Sequence, residues 1–444
     1  MNKNQDLLSF PPCIKIHRLS SLRRSSSTNL IGKAQSTISI CALFIFFTFL
    51  LFALSTFDNP NATATVQPTS AKSWRQIFNF LAPITPNESR TNHIPFALQR
   101  LGKIYRRGTD AMHDLIVGHV TELATPQELR LFLRLLHRSG LTSRSDLVLI
   151  FPTSSLSSDF DDVIRDENES FDKLLLANVA GNDSETSFNA TKFVKQIKNQ
   201  TEWIEPIWGP RNHSNCSEGS LPEPPLTTTR LSYGSVVSFL VDELDPANSL
   251  AGFLDHVPMS LRRWACYPML LGRLKRKFKN VVLLDVREIL LIGDPLVRVK
   301  THSSESVLIF PESTPRKRNP TMESRQEEFK SVNLLVAMGG TRGVRHLSEL
   351  MLAKIVGAAT ASRRRKIPVT ELAILKRLVT KESLKAANII IYEDPIPEAS
   401  TLDNSTSWLM KFRRVSNSSR ITSISSIFKQ ICSIELDSSI YGEC

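Results

Sequence analysis

Asp285, Arg287 and Glu288 follow directly on Val281 to Leu284, an unbroken apolar run of β-formers. Such a run reads as a central parallel strand covered on both faces, and it delivers the first carboxylate at the strand's carboxyl end. In open α/β sheets ligands bind at that end, which makes the three charged residues candidate pocket groups. A carboxylate there can take hydroxyl groups or orient a neighbouring cation, and a guanidinium can grip a phosphate through two parallel N–H bonds. The competing reading is a strand-to-turn junction with solvated charges.

Two further stretches carry chemistry by type and spacing. Val332 to Met338 runs into Gly339-Gly340-Thr341-Arg342-Gly343 and then a helix with Leu347, Leu350, Met351 and Ile355 on one face. A glycine-rich turn into a helix N-terminus exposes backbone N–H groups to a phosphate, with Arg342 and Arg345 adding charge. The spacing matches neither the dinucleotide nor the P-loop fingerprint, so glycines serving a tight turn compete with that reading. Val236 to Val241 reads as a strand ending in Asp242-Glu243-Leu244-Asp245, a second acidic strand end.

The elements that position these groups alternate between strand and helix. Leu115 to Val120 is a strand, and Thr125-Pro126-Gln127-Glu128 forms a capping box with proline at the first helical position. Leu129, Phe132, Leu133 and Leu136 then recur at helical spacing, Arg130, Arg134, His137 and Arg138 form the opposite face, and Gly140 closes the helix. Leu147 to Phe151 completes a βαβ unit. Residues 152–230 are charged and proline-rich and read as a large surface insertion, with one helix around Phe171 to Ala177 and two tryptophans, Trp203 and Trp208, that pack or stack on sugar rings. Leu261 to Phe278 is a helix with a basic outer face and Leu261, Leu270, Leu271 and Leu274 inward, despite Pro268. Val307 to Phe310 is a strand, followed by a polar loop, PESTPRKRNPTMESRQEE. Thr370-Glu371 starts a helix with Leu372, Leu375 and Leu378, Ile389 to Tyr392 gives a last strand, and residues 395–444 form a serine-rich tail without a readable pattern. Six or seven strands with intervening helices make one α/β domain.

The segment FKNVVLLDVREILLIGDPLVRV resembles the metal-binding segment of nucleotide-sugar glycosyltransferases of the glycogenin and galactinol synthase type, where an apolar strand ends in Asp-x-Asp. Here the triplet is Asp285-Val286-Arg287, with a cation at the second carboxylate position. RRWACYPMLLGRLKRKFKNVVLLDV, VNLLVAMGGTRGVRHL and VTELAILKRLV are similar to an uncharacterised plant family of membrane-anchored, glycosyltransferase-like proteins. The resemblance implies a nucleotide-diphospho-sugar transferase-like (GT-A-like) fold with a mostly parallel sheet. It further implies that His119 meets the nucleotide base and Asp285 the ribose and diphosphate. Gly339, Gly340 and Arg342 would lie beside the sugar or acceptor, and Glu371 near the sugar being transferred, so that Glu371 and Asp285 are the catalytic candidates and His119, Asp285, Arg287, Gly339, Gly340 and Arg342 the nucleotide-sugar-binding ones. With no second carboxylate and no C-terminal diphosphate histidine motif, no metal ligand is assigned and manganese does not follow from the resemblance; a nucleotide-sugar donor and a glycan acceptor do. The alternative is a non-catalytic glycosyltransferase-like binding or scaffold protein of the secretory pathway, since fold alone does not imply turnover.

The 444-residue chain carries a formal charge of +12, with knots at Arg23-Arg24, Lys275-Arg276-Lys277 and Arg363 to Lys366. Ile38 to Phe57 is an uncharged apolar run of about twenty residues, the length of a bilayer-spanning helix. Basic residues precede it, from Lys15 to Lys33, and predict a cytoplasmic N-terminus. The expected organisation is a cytoplasmic tail over residues 1–36, a transmembrane helix over 37–57, a Pro/Ser/Thr-rich stem over 58–110 and a lumenal domain over 111–444, a single-pass type II protein of the Golgi membrane. All ten Asn-x-Ser/Thr acceptors follow the apolar run, including Asn168. Four of six cysteines, Cys216, Cys266, Cys432 and Cys444, would be lumenal and allow three pairings. A membrane anchor disfavours nucleic acid as partner of the basic charge.

Overall fold

The computed structural model describes residues 95–179, 190–196, 205–208, 229–253, 257–274, 278–312, 332–365, 369–378, 388–399, 407–412, 417–442 and 444, all within one unit, Ser89–Cys444. The strands are β1 (Phe96–Leu98), β2 (Leu101–Arg106), β3 (Asp114–His119), β4 (Ser145–Phe151), β5 (Val194–Gln196), β6 (Thr229–Leu231), β7 (Val236–Leu240), β8 (Asn280–Asp285), β9 (Ile289–Leu291), β10 (Val307–Pro311), β11 (Val332–Gly340), β12 (Ile389–Ile391), β13 (Glu398–Ala399) and β14 (Leu409–Phe412). The helices are α1 (Pro126–Arg138), α2 (Ser154–Val179), α3 (Val241–Leu244), α4 (Met259–Arg273), α5 (Leu296–Val299), α6 (Thr341–Arg365), α7 (Glu371–Leu378), α8 (Asn417–Cys432) and α9 (Glu435–Ile440).

Nine strands form the principal sheet in the order β1-β2-β7-β4-β3-β8-β11-β10-β12. The neighbours β7·β4, β4·β3, β3·β8 and β10·β12 are parallel, and β1·β2, β2·β7, β8·β11 and β11·β10 antiparallel. Every strand except β2 and β11 therefore points the same way, and the α/β fold is built on a mixed, mostly parallel sheet. β1 and β2 fall inside the stretch read from composition as stem, so the folded domain starts by Phe96.

Because side chains alternate across a strand, the sheet sorts its residues onto two faces. Leu115 and Val117 of β3, Val148 and Ile150 of β4, and Val281 and Leu283 of β8 pack against α4, α6 and α7. Ile116, Leu147, Leu149, Val282 and Leu284 pack on the other face against α1 and the start of α2. The same alternation puts His119 and Asp285, two residues beyond Val117 and Leu283, on the α4 face.

The capping box of α1 is present in both directions, Glu128 N to Thr125 Oγ1 at 3.3 Å and Thr125 N to Glu128 Oε2 at 2.8 Å. Its basic face is not solvated as the charge pattern suggested: Arg134 and His137 are buried. Arg134 grips Glu167 of α2 at 3.1 and 2.5 Å and lies 3.7 Å over the Tyr441 ring, while His137 stacks on Phe171 at 4.4 Å. The reason is that residues 154–179 form one 26-residue helix rather than a surface insertion with a short helix, and α2 buries Phe160, Ile164, Phe171, Leu174 and Leu175. Trp208 is buried too, donating Nε1 to Asp146 Oδ2 at 2.8 Å, and is not a sugar-stacking face; Trp203 lies outside the described residues. Asn168 is buried in α2 with Nδ2 donating to Ile164 O at 2.7 Å, which removes it as a glycan acceptor in the folded chain.

The tail has structure that its composition hid. β13 and β14 pair with each other and β14 with β9, while α8 lays Ile424, Ile427 and Ile431 on Leu131 and Leu135 of α1. Arg138 pairs with Asp437, and Cys432 is disulfide-bonded to Cys444; Cys266 is a buried free thiol. The other three cysteines, the remaining sequons' side chains, the apolar run Ile38 to Phe57 and most of the polar loop after Phe310 lie outside the described residues. Among the described residues no helix is long and apolar enough to cross a membrane.

Candidate functional site

β3 and β8 run parallel in register, with His119 directly opposite Asp285 at their carboxyl ends. The two side chains approach to 3.4 Å, Nε2 to Oδ2. Helix α4 crosses this point and inserts Arg263 and, one turn later, Tyr267. Arg263 Nη1 reaches His119 Nε2, Arg263 Nη2 donates to Glu371 Oε1 at 2.6 Å, and Tyr267 Oη lies 3.3 Å from His119 Nδ1. Trp264 Nε1 donates to the same Glu371 oxygen at 2.8 Å. Four elements, β3, β8, α4 and the first residue of α7, thus bring His119, Asp285, Arg263, Trp264, Tyr267 and Glu371 into one polar cluster on an otherwise apolar face.

The electrostatics follow from burial. His119 is 1% exposed and Arg263 3%. Burial, reinforced by the Arg263 charge, holds the His119 imidazole below its ordinary range against the pull of Asp285 and Glu371. Burial works to raise Asp285, but contacts with His119, Arg263 and the Arg287 N–H outweigh it and hold the carboxyl below the usual range. Burial likewise opposes the charge on Arg263, and Glu371, Tyr267 and Asp285 overcome it. The cluster is therefore a buried guanidinium paired with Glu371, with the His119 imidazole standing between that guanidinium and Asp285.

The sequence-derived candidates divide. His119, Asp285 and Glu371, far apart in the chain, meet here. Arg287 does not: Asp285 Oδ1 accepts its backbone N–H at 2.8 Å and that of Glu288 at 3.2 Å, and this turn sends the Arg287 side chain to Glu128 on α1, Nε to Oε1 3.4 Å. Arg420 of α8 completes that second group through Glu128 at 2.5 Å, Glu288 at 3.3 Å and the Arg287 carbonyl. Gly339, Gly340 and Arg342 lie at the opposite end of the sheet. β11 is antiparallel to β8, with Gly340 opposite Asn280, five residues or about 16 Å from Asp285. The glycines there serve packing: a Cβ on Gly340 would lie 2.0 Å from Ser304 O and one on Gly339 2.3 Å from Ser306 O. The turn's N–H groups are spent within the chain, Gly340 on Ser306 O, Thr341 on Lys279 O and Gly343 on Ser304 O. Arg342 is exposed, 3.9 Å from Glu305. The acidic strand end of β7 likewise resolves into a short helix, with Glu243 capping the Leu240 and Gly102 N–H groups at 2.7 and 3.0 Å.

Residues 95–394 match the model of a family described as Domain of unknown function (DUF7780). The chain belongs to that family. The DUF7780 match contains every member of the His119–Asp285–Arg263–Glu371 cluster and ends before β13, β14, α8 and α9. No curated protein matches the chain. Among solved structures it aligns with the glycosyltransferase GlyE of Streptococcus pneumoniae TIGR4 (TM-score 0.30, 10% identity, 64% of this chain and 46% of that one), so it spans about half of that protein's length. It also aligns with the galactosyltransferase LgtC in complex with donor and acceptor sugar analogs (TM-score 0.34, 9% identity, 73% and 95%) and with mouse xyloside xylosyltransferase 1 in its apo form (TM-score 0.32, 11% identity, 71% and 94%). At that level of similarity the alignments say nothing about function.

The residues present do not fit the divalent cation that the sequence resemblance brings to mind. Such an ion needs carboxylates converging on one point. Here Asp285 spends Oδ1 on two backbone N–H groups, and a guanidinium already sits beside Glu371. Among the described residues no group of three or more His, Cys, Asp or Glu side chains is placed to hold a metal ion. Sequence reasoning missed Arg263, assigning the arginines of α4 to its outer face. The signal was there: Arg263, Tyr267, Leu270 and Leu274 fall at i, i+4, i+7 and i+11, the inward stripe of α4.

Proposed function

We propose that this chain is a glycosyltransferase-like protein of the Golgi membrane, type II in orientation, that binds a nucleotide-sugar donor at the carboxyl end of its parallel strands and transfers the sugar to a glycan acceptor. The observation that carries the reading is the buried Asp285–His119–Arg263–Glu371 cluster, at the sheet end where α/β proteins bind ligands. Glycosyl transfer needs positive charge on the departing diphosphate. Arg263 supplies it from the protein itself, which replaces the role first given to Arg287. Glu371, the most exposed carboxylate of the cluster, is the group that faces the sugar, and Asp285 holds the turn and the imidazole. The membrane assignment is supported by the run Ile38 to Phe57, and an oxidising lumen by the Cys432–Cys444 disulfide.

The test is calorimetry of the detergent-solubilised full chain against nucleoside diphosphates, with and without manganese, followed by assay of donor hydrolysis. Binding that is indifferent to manganese is expected. A second reading, a binding or scaffold protein without turnover, is favoured by the fact that His119 is 1% exposed and Arg263 3%, each already partnered inside the protein. Nucleotide binding without hydrolysis or transfer would select it, and no nucleotide binding at all would end the transferase reading and leave the scaffold reading in its place. Protease treatment of sealed microsomes tests the topology: digestion of a C-terminal tag refutes it.

A further inference from the structure

Arg263 holds a donor that nothing in the cluster uses. Its Nη1 goes to His119 and its Nη2 to Glu371, yet its Nε is buried without an acceptor, in a side chain only 3% exposed. The two ends of the Arg263–Glu371 pair are unequal. Arg263 sits on a helix packed into the core and is flanked by Trp264 and Tyr267, whose rings meet edge to face at 5.4 Å. Glu371 is the first residue of α7, its side chain is 21% exposed, and both of its contacts converge on one oxygen, Oε1. A change of rotamer frees Glu371, whereas Arg263 cannot leave without unpacking α4.

We propose that Glu371 is a stand-in anion: it holds the place of a ligand's diphosphate at Arg263 and hands over both the guanidinium and the Trp264 N–H when a nucleoside diphosphate group enters. The proposal rests on the nucleotide-sugar reading of the site and adds how that site is occupied before the ligand arrives. The exchange swaps one anion for another, so the buried guanidinium is never left uncompensated. A phosphate brings more acceptor oxygens than the single Oε1, and so can take up the unused Nε while still filling the places Oε1 filled. The displaced Glu371 carboxylate is then released toward solvent at the mouth of the site. Competition by Glu371 lowers the apparent affinity for the ligand, as any closed state does.

The exchange makes two neighbouring variants move binding in opposite directions. Uridine and guanosine diphosphate are the probes, titrated into the detergent-solubilised full chain with a chelator present. Glu371→Gln removes the competitor and is expected to tighten binding about threefold to tenfold, whereas Arg263→Gln is expected to weaken it at least about tenfold. The double variant Arg263→Gln/Glu371→Gln removes both charges together, so it keeps the fold if the single arginine variant does not, and it is expected to bind as weakly as Arg263→Gln. If the native protein binds either probe and Glu371→Gln weakens or leaves unchanged that binding, the exchange is overturned and the nucleotide reading stands. If the double variant binds as well as the native chain, Arg263 is not the receiving group and the exchange is again overturned. No binding by the native protein overturns the nucleotide reading and the exchange with it.

Discussion

Asp146 makes the stability of this fold depend on pH in an unusual direction. It lies in β4, fully buried, accepting Ser235 N at 2.7 Å on Oδ1 and Trp208 Nε1 at 2.8 Å on Oδ2. Burial pushes its carboxyl up to about 7 although the two donors and the nearby Arg106 charge pull the other way. In the unfolded chain an aspartate titrates near 3.9. Between those values the folded state binds the proton that the unfolded state has lost. The stabilising contribution is thus complete below about pH 4, declines as pH rises, and is gone once pH passes the folded value near 7. Linkage between pH 5 and 8 gives a loss of about 2–3 kcal/mol from this residue. Asp146→Asn has no such proton. It keeps one acceptor oxygen for the two donors, a constant cost of about 1 kcal/mol at every pH. Denaturant midpoints at pH 5 and pH 8 should therefore fall further in the native chain than in Asp146→Asn, and comparison with the variant cancels the other titrating groups, His119 and His137 among them. Parallel pH dependences in the two proteins would refute the reasoning.

Arg287→Ala is expected to cost no more than about 1 kcal/mol, because Glu128 keeps Arg420 and the Thr125 N–H, and to leave nucleotide binding unchanged; a tenfold loss of binding with an intact fold would return Arg287 to the site. Gly340→Ala should fail to fold or lose about 3 kcal/mol or more, since the new Cβ meets backbone, Ser304 O at 2.0 Å, that cannot swing aside; a variant with native melting temperature would show that the turn is looser than described. Asn168→Gln should leave the endoglycosidase-sensitive mobility of the chain unchanged, whatever glycans the other acceptors carry, and a lost band would mean that α2 is accessible to the glycosylation machinery.

How far the sequence could be read depended on whether a pattern was local. The capping box at Thr125, the apolar runs of β3, β4, β7 and β8, and the placing of Asp285 at a strand's carboxyl end all follow from neighbouring residues, and each was legible. His119, Asp285 and Glu371, to which the family resemblance points, meet in one cluster although they lie far apart in the chain. Arg287 misled because alternation holds only while the strand continues; once Asp285 caps the next two N–H groups, the residue two places on no longer points the same way. Gly339 and Gly340 misled because nothing in a strand's own residues tells its direction. β11 runs against β8, and that alone moves its glycine turn to the far end of the sheet. The burial of Arg134, His137 and Asn168 is set by α2 and the C-terminal segment, so no local charge pattern could report it.

Arg138 waits for a partner 299 residues further along, Asp437, and Arg134 waits for Tyr441 beside it. At roughly 5–20 residues per second, a ribosome needs about 15 to 60 seconds between making the first of these and the second. Throughout that interval the outer side of α1, with Leu131 and Leu135 later covered by α8, is open. The βαβ core can form early, but it emerges with an uncovered apolar stripe beside a salt bridge awaiting its lid, the kind of surface that chaperones hold. Completion of this fold thus waits for α8 and α9, and damage to residues 417–444 should show first as retention and degradation rather than as loss of the His119–Asp285 cluster.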